Sequence, residues 1–112
     1  MPAPGLAGRP GFPAILHQEA NLSRHWTVYI LETASGSLYT GIAVDPESRF
    51  REHESGRGSR AVRMAGGPRR FVWRRDGLER GEALRLERSI KALSRSAKER
   101  LIAEGSDSPQ WT

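Results

Sequence analysis

The stretch Thr27-Val28-Tyr29-Ile30-Leu31, then Ala34-Ser35-Gly36-Ser37, then Leu38-Tyr39-Thr40-Gly41-Ile42, decides the reading of this chain. Its first block is rich in strand-forming residues, with Val28 and Ile30 on one face and Tyr29 and Leu31 on the other. The middle block is turn chemistry, with Gly36 where a positive φ is expected. The third begins a return strand, Leu38 to Ala43, so the pattern predicts an antiparallel hairpin. Asp45 and Pro46 follow at once. An aspartate suited to capping and a proline suited to the first helical position predict a helix to about Ser55, stopped at Gly56. Two phenols, an arginine and a histidine (Tyr29, Tyr39, Arg49 and His53) are thereby gathered on one strand–turn–strand–helix unit.

Beyond this unit, Gly56 to Arg75 holds Arg57, Arg60, Arg63, Arg69, Arg70, Arg74 and Arg75 and no acidic residue. Its first half is broken by glycine and reads as loop or one helical turn. Gly66-Gly67 before Pro68 reads as a turn. Arg70 to Arg75 reads as a third strand around Phe71, Val72 and Trp73, and Asp76 to Gly81 as a turn. Glu82 to Ala92 is an amphipathic helix with Ala83, Leu86, Ile90 and Leu93 at helical spacing. A last helix, capped by Ser94 or Ser96, runs to about Glu104, with Ser96 and Glu99 in capping-box spacing. Residues 1–25 carry Pro2, Pro4, Pro10 and Pro13 among Gly5, Gly8 and Gly11, a composition that resists helix and sheet. They read as a flexible tail in which Ile15 to Leu22 could form a short helix or dock. Residues 105–112 read as a second tail whose Trp111 could pack. One domain, 26–104, lies between.

The 112 residues suit a single domain. No run of apolar residues is long enough to span a membrane, and no basic-then-apolar secretory signal opens the chain. Without cysteine there is neither a disulfide nor a thiolate zinc site. The expected location is the cytoplasm and the expected state a monomer. The net charge of +5, carried almost wholly by arginine, favours a nucleic-acid partner. The planar guanidinium fork matches phosphate oxygens two at a time.

Arg49 and His53 are one helical turn apart on a shared face, with Phe50 turned to the core. Singly, each also reads as an ordinary surface residue. Strand tyrosines are usually half-buried packing, and a phenol is a poor base at neutral pH unless a nearby cation helps. Glu87, in Ala83-Leu84-Arg85-Leu86-Glu87-Arg88, reads either as an ion-pair partner or as the one hard oxygen ligand of a Mg²⁺ that keeps most of its waters. There is no phosphate-binding glycine loop of the Walker type, no HExxH and no GxSxG. His17, His25 and His53 lack metal-ligand spacing.

Taken together, these residues resemble a known family. Val28-Tyr29-Ile30 followed by Tyr39-Thr40-Gly41 is similar to the two half-motifs of the GIY-YIG nuclease superfamily. The likeness continues through Arg49, His53 and Glu87, and Ile90-Lys91-Ala92-Leu93-Ser94-Arg95 resembles the tail motif of its small single-domain bacterial branch. It spans Trp26 to Ile102. The first half-motif lacks its glycine and has Val28, Thr40 replaces the usual isoleucine or valine, and Ile42 stands where excision-repair relatives carry a lysine. The asparagine of those relatives has no clear match. The resemblance implies an α+β fold, a three-stranded antiparallel sheet flanked by helices. It also implies metal-dependent hydrolysis of DNA phosphodiesters, in DNA repair or processing. Tyr29 and Tyr39 would then flank the attacking water, Arg49 would bind the scissile phosphate, and His53 would be an alternative base or orienting group. Glu87 would hold one Mg²⁺ or Mn²⁺. Arg57, Arg60, Arg63, Arg69, Arg70 and Lys91 would contact the nucleic acid. Two rivals stand beside this: a non-catalytic nucleic-acid-binding module of the same fold, and a protein-interaction domain whose arginines meet an acidic partner.

Overall fold

The computed structural model describes residues 25–105. The Ile15 to Leu22 helix and the docking of Trp111 fall outside the described residues, as do all but His25 and Gly105 of the two expected tails. The described chain runs β1 (Trp26–Thr33), β2 (Leu38–Ala43), α1 (Pro46–Glu54), α2 (Arg60–Met64), β3 (Pro68–Leu78), α3 (Arg80–Lys91) and α4 (Arg95–Glu104). The strands form one antiparallel sheet in the order β2-β1-β3. The fold is the expected three-stranded sheet with helices around it.

β1 is the central strand, and Val28, Tyr29, Ile30 and Leu31 are all buried because both sheet faces are covered. On one face Val28, Ile30 and Trp73 pack with Ala83 and Ile90 of α3, flanked by Leu101 and Ile102 of α4. On the other, Tyr29, Leu31 and Ala43 pack with Val62 of α2, Phe50 of α1 and Phe71 of β3. Each fully buried aliphatic side chain of this kind contributes about 1.5–3 kcal/mol. Tyr29 and Tyr39 lie on the second face under α1, the helix of Arg49 and His53, whereas Glu87 belongs to α3, whose Ala83 and Ile90 pack on the first.

Local signals explain most boundaries. In the hairpin, Gly36 takes φ 89° and the Thr33 amide donates to the Ser37 carbonyl at 2.9 Å. Asp45 caps α1 by accepting from the Ser48 amide at 3.0 Å, and Pro46 is its first residue. Ser59 caps α2, so the stretch expected as loop or one turn contains a short helix. α3 begins two residues earlier than expected, because the Glu82 carboxylate reaches back to accept from the Glu79 amide at 2.9 Å. Of the two serines proposed for the last helix, Ser94 is the cap, accepting from Ala97 at 3.1 Å, while Glu99 pairs with Arg95 at 3.0 Å. The Ser96–Glu99 box does not form.

β3 is nearly twice as long as the expected Arg70 to Arg75, and it takes in residues read as a turn. It follows β1 through three register shifts. At one of them, neighbours Ile30 and Leu31 face Trp73 and Phe71, so Val72 is an extra residue in β3. This bulge sends Phe71 to the Tyr29 face and Trp73 to the opposite one. Among the described residues, no helix is long and apolar enough to cross a membrane.

Candidate active site

Tyr29 lies opposite Gly41 on β2 and Arg74 on β3. Its ring meets Phe71 edge-on, centroids 5.3 Å apart. Gly41 is there because nothing larger fits: a Cβ at that position would stand 2.6 Å from the Tyr29 hydroxyl and 3.2 Å from the Tyr39 ring. Gly41→Ala is therefore expected to destabilise the fold by about 1–3 kcal/mol, the usual range for overpacking. Urea unfolding checks this, and an alanine variant as stable as the parent would refute the contact.

Helix α1 rides over this face and delivers Arg49 and His53. Arg49 Nη1 donates to Glu52 Oε1 at 2.6 Å, and the guanidinium lies close enough to the Tyr29 hydroxyl to act on its titration. Burial pushes the Tyr29 phenol up to about 12, aided by Tyr39 nearby and, more weakly, by the Glu87 carboxylate; Arg49 acts in the opposite sense. Tyr29 is thus a neutral phenol at pH 7. The three groups that influence it come from β2, α1 and α3, so Tyr39, Arg49 and Glu87 each lie within electrostatic reach of the Tyr29 phenol.

The two tyrosines are not equivalent. Tyr29 is buried, whereas Tyr39 is half-buried with its ring edge-on to the His53 imidazole, centroids 5.7 Å apart. His53 is buried, and its Nδ1 accepts the Ser59 amide at 3.1 Å. Gly58 permits this, because a Cβ there would collide with the imidazole. Burial, followed by the positive charge of Arg49, pulls the His53 pKa below its ordinary value. In the neutral ring the proton must then sit on Nε2, which finds no hydrogen-bond partner among the described residues. His53 can donate a proton from Nε2 but has no free lone pair to take one.

Glu87 is mostly covered and pairs with Lys91 one turn on, at 3.1 Å. Among the described residues, no group of three or more His, Asp or Glu is arranged to hold a metal ion. One carboxylate is nevertheless a normal protein share for Mg²⁺ when substrate phosphate and waters complete the shell. The donor set fits an ion that arrives with its substrate.

Arg57, Arg60, Arg63, Arg69, Arg70 and Lys91 are exposed. Arg51, Arg69 and Arg70 line a hollow of about 390 Å³ together with Glu47, Phe50 and Phe71. Two arginines of the basic run depart from the surface reading. Arg74 is buried and ion-paired with acids, and Arg75 is half-buried against the Trp73 ring, 5.5 Å from its centroid. Gly58, Ser59, Phe71 and Arg74, which surround the gathered residues, were not legible as site elements. Their roles arise from long-range packing that leaves no periodic mark.

Comparison with known proteins gives a consistent answer. Residues 25–100 match the family model of the GIY-YIG catalytic domain. The chain is 46% identical over 87 residues to the UPF0213 protein of Aeromonas salmonicida, covering 78% of this chain and 63% of that one. The UPF0213 protein of Aeromonas hydrophila is 49% identical over 80 residues, 71% of this chain and 58% of its own. The chain thus spans about three fifths of these two relatives. The UPF0213 protein YhbQ of Escherichia coli K12 is 42% identical, covering 71% of this chain and 79% of its own. A solution NMR structure of the UPF0213 protein BH0048 from Bacillus halodurans is 37% identical, covers 77% of this chain and 89% of that one, and has a TM-score of 0.48. The match over most of the chain makes it a member of the GIY-YIG catalytic domain family.

Proposed function

We propose that the chain is a metal-dependent endonuclease that hydrolyses phosphodiester bonds in DNA. The placing of Tyr39, Arg49 and Glu87 within electrostatic reach of the buried Tyr29 phenol, together with the family match, supports this reading most strongly. Arg49 receives the scissile phosphate: its guanidinium is half-exposed, fixed by Glu52, and always charged. Preorganised donors of this kind stabilise charge as it develops in the transition state. Tyr39, the more exposed phenol, meets the attacking water. Tyr29, buried and neutral, stands beside the Arg49 guanidinium. His53, with Nδ1 engaged by the Ser59 amide and Nε2 shut off from solvent, orients the site by packing against the Tyr39 ring. Glu87 would hold Mg²⁺ or Mn²⁺, which when bound supplies positive charge for the leaving oxygen and lowers the pKa of neighbouring phenols.

Incubation with supercoiled plasmid and with branched DNA tests the reading. Nicking or cutting is expected with Mg²⁺ or Mn²⁺ and none in a chelator. The absence of cleavage with either ion on either substrate would sink it. The exposed arginines support a second reading, a binding module of the same fold. Should all six basic candidates contact phosphates, the logarithm of duplex affinity would fall against that of salt with a slope of about −5. Such binding without hydrolysis would favour the module.

A further inference from the structure

We propose that Arg74 is a positioning residue, holding helix α1 against the tyrosine face by gripping Glu47. Arg74 stands opposite Tyr29 in the sheet, and its side chain is 9% exposed. Its Nη1 donates to Glu47 Oε2 at 2.6 Å. Its Nε and Nη2 both donate to Asp76 Oδ1, at 3.2 and 3.0 Å, and the same oxygen accepts the Thr27 hydroxyl at 2.7 Å. One guanidinium therefore joins β1, β3 and α1. It also lies 5.5 Å from the centroid of the Phe71 ring, which packs on both Tyr29 and Phe50.

Glu47 belongs to the first turn of α1, two residues before Arg49 and six before His53. The helix does not need Glu47 to begin, since Asp45 already caps it and Pro46 already starts it. The Glu47 carboxylate is 58% exposed, so water alone could satisfy it. Its pairing with a buried arginine instead fixes how α1 lies across the sheet. A planar fork holds two carboxylates at a set angle, which a lysine ammonium cannot do. This assignment rests on the nuclease reading, in which Arg49 must meet the phosphate beside the two tyrosines.

The test uses Glu47→Gln and Arg74→Lys in the full chain, with Glu99→Gln, which breaks a surface pair on α4, as control. In both variants kcat should fall about 10- to 100-fold, the scale of a small misplacement of reacting groups. KM should stay within about threefold of the parent, since the DNA-contacting arginines are untouched. If Arg74→Lys fails to fold, Glu47→Gln decides. A second readout needs no catalysis: the nuclear Overhauser contact between the Tyr39 and His53 rings should weaken in Glu47→Gln and persist in Glu99→Gln. A Glu47→Gln variant that keeps both the parent kcat and the ring contact overturns the proposal. So does an equal loss of kcat in the Glu99→Gln control. If the parent cleaves no DNA, the nuclease reading fails on its own; loss of the ring contact in Glu47→Gln then still supports the grip, and its retention refutes it.

Discussion

Arg49→Ala is expected to slow cleavage about 100- to 1,000-fold, the range seen when one preorganised donor to developing negative charge is removed. The loss should appear mainly in kcat measured under single turnover, because Arg49 would act on charge that grows in the transition state. Stability should change little. The Arg49 side chain is 38% exposed, and its pair with Glu52 is a surface i,i+3 contact of the kind worth under about 1 kcal/mol. Arg49→Lys should recover only part of the rate, because it restores charge without the two-pronged fork. The Tyr29 phenol should also titrate higher in Arg49→Ala, since Arg49 opposes the upward push of burial. An Arg49→Ala variant cutting at nearly the parent rate would remove Arg49 from the site.

Glu87→Gln should be at least as severe, a loss of about a thousandfold or more with Mg²⁺ or Mn²⁺ present. A divalent ion in such a site supplies several kcal/mol of charge stabilisation, and about 1.4 kcal/mol is tenfold in rate. The glutamine keeps the shape and removes the charge. The fold should not suffer, because Glu87 gives up only its i,i+4 pair with Lys91. Duplex binding measured in a chelator should stay within a few-fold of the parent, which separates a metal role from a DNA contact. Undiminished cleavage by Glu87→Gln at saturating metal would show that the ion, if one is used, is held elsewhere.

The parts of the fold legible in the sequence were those written locally. The hairpin followed from a β-forming run, a turn with Gly36 and a second run, while α1 followed from Asp45 and Pro46. The faces of β1 followed from alternation, but that both are covered, burying all four residues from Val28 to Leu31, depends on helices distant in sequence. β3 was half legible. Its far end holds Asp76, Gly77 and Leu78, which read as a turn until pairing with β1 and its irregular register carry them into the sheet. The candidate site divides in the same way. Tyr29, Tyr39, Arg49, His53 and Glu87 were legible through spacing and family likeness. Arg74 was not, because its partner Glu47 lies 27 residues away and one arginine among seven looks like another surface charge. The donor-only state of His53 was equally hidden, since it depends on an amide from the following loop.

The extra residue at Val72 bears on what kinds of change this chain can accept. Phe71 and Trp73 are two apart, and in an uninterrupted strand they would share a side. The bulge acts as a half-step that lets one serve the tyrosines and the other the α3 interior. Without Val72, Phe71 and Trp73 would be direct neighbours, and an unbroken strand sends direct neighbours to opposite sides. Both rings would keep their partners, and Arg74 would keep its side. β3 should therefore accept the loss of Val72 more readily than the loss of Phe71 or Trp73. The extra residue is a spacer whose removal leaves the parity of the strand intact.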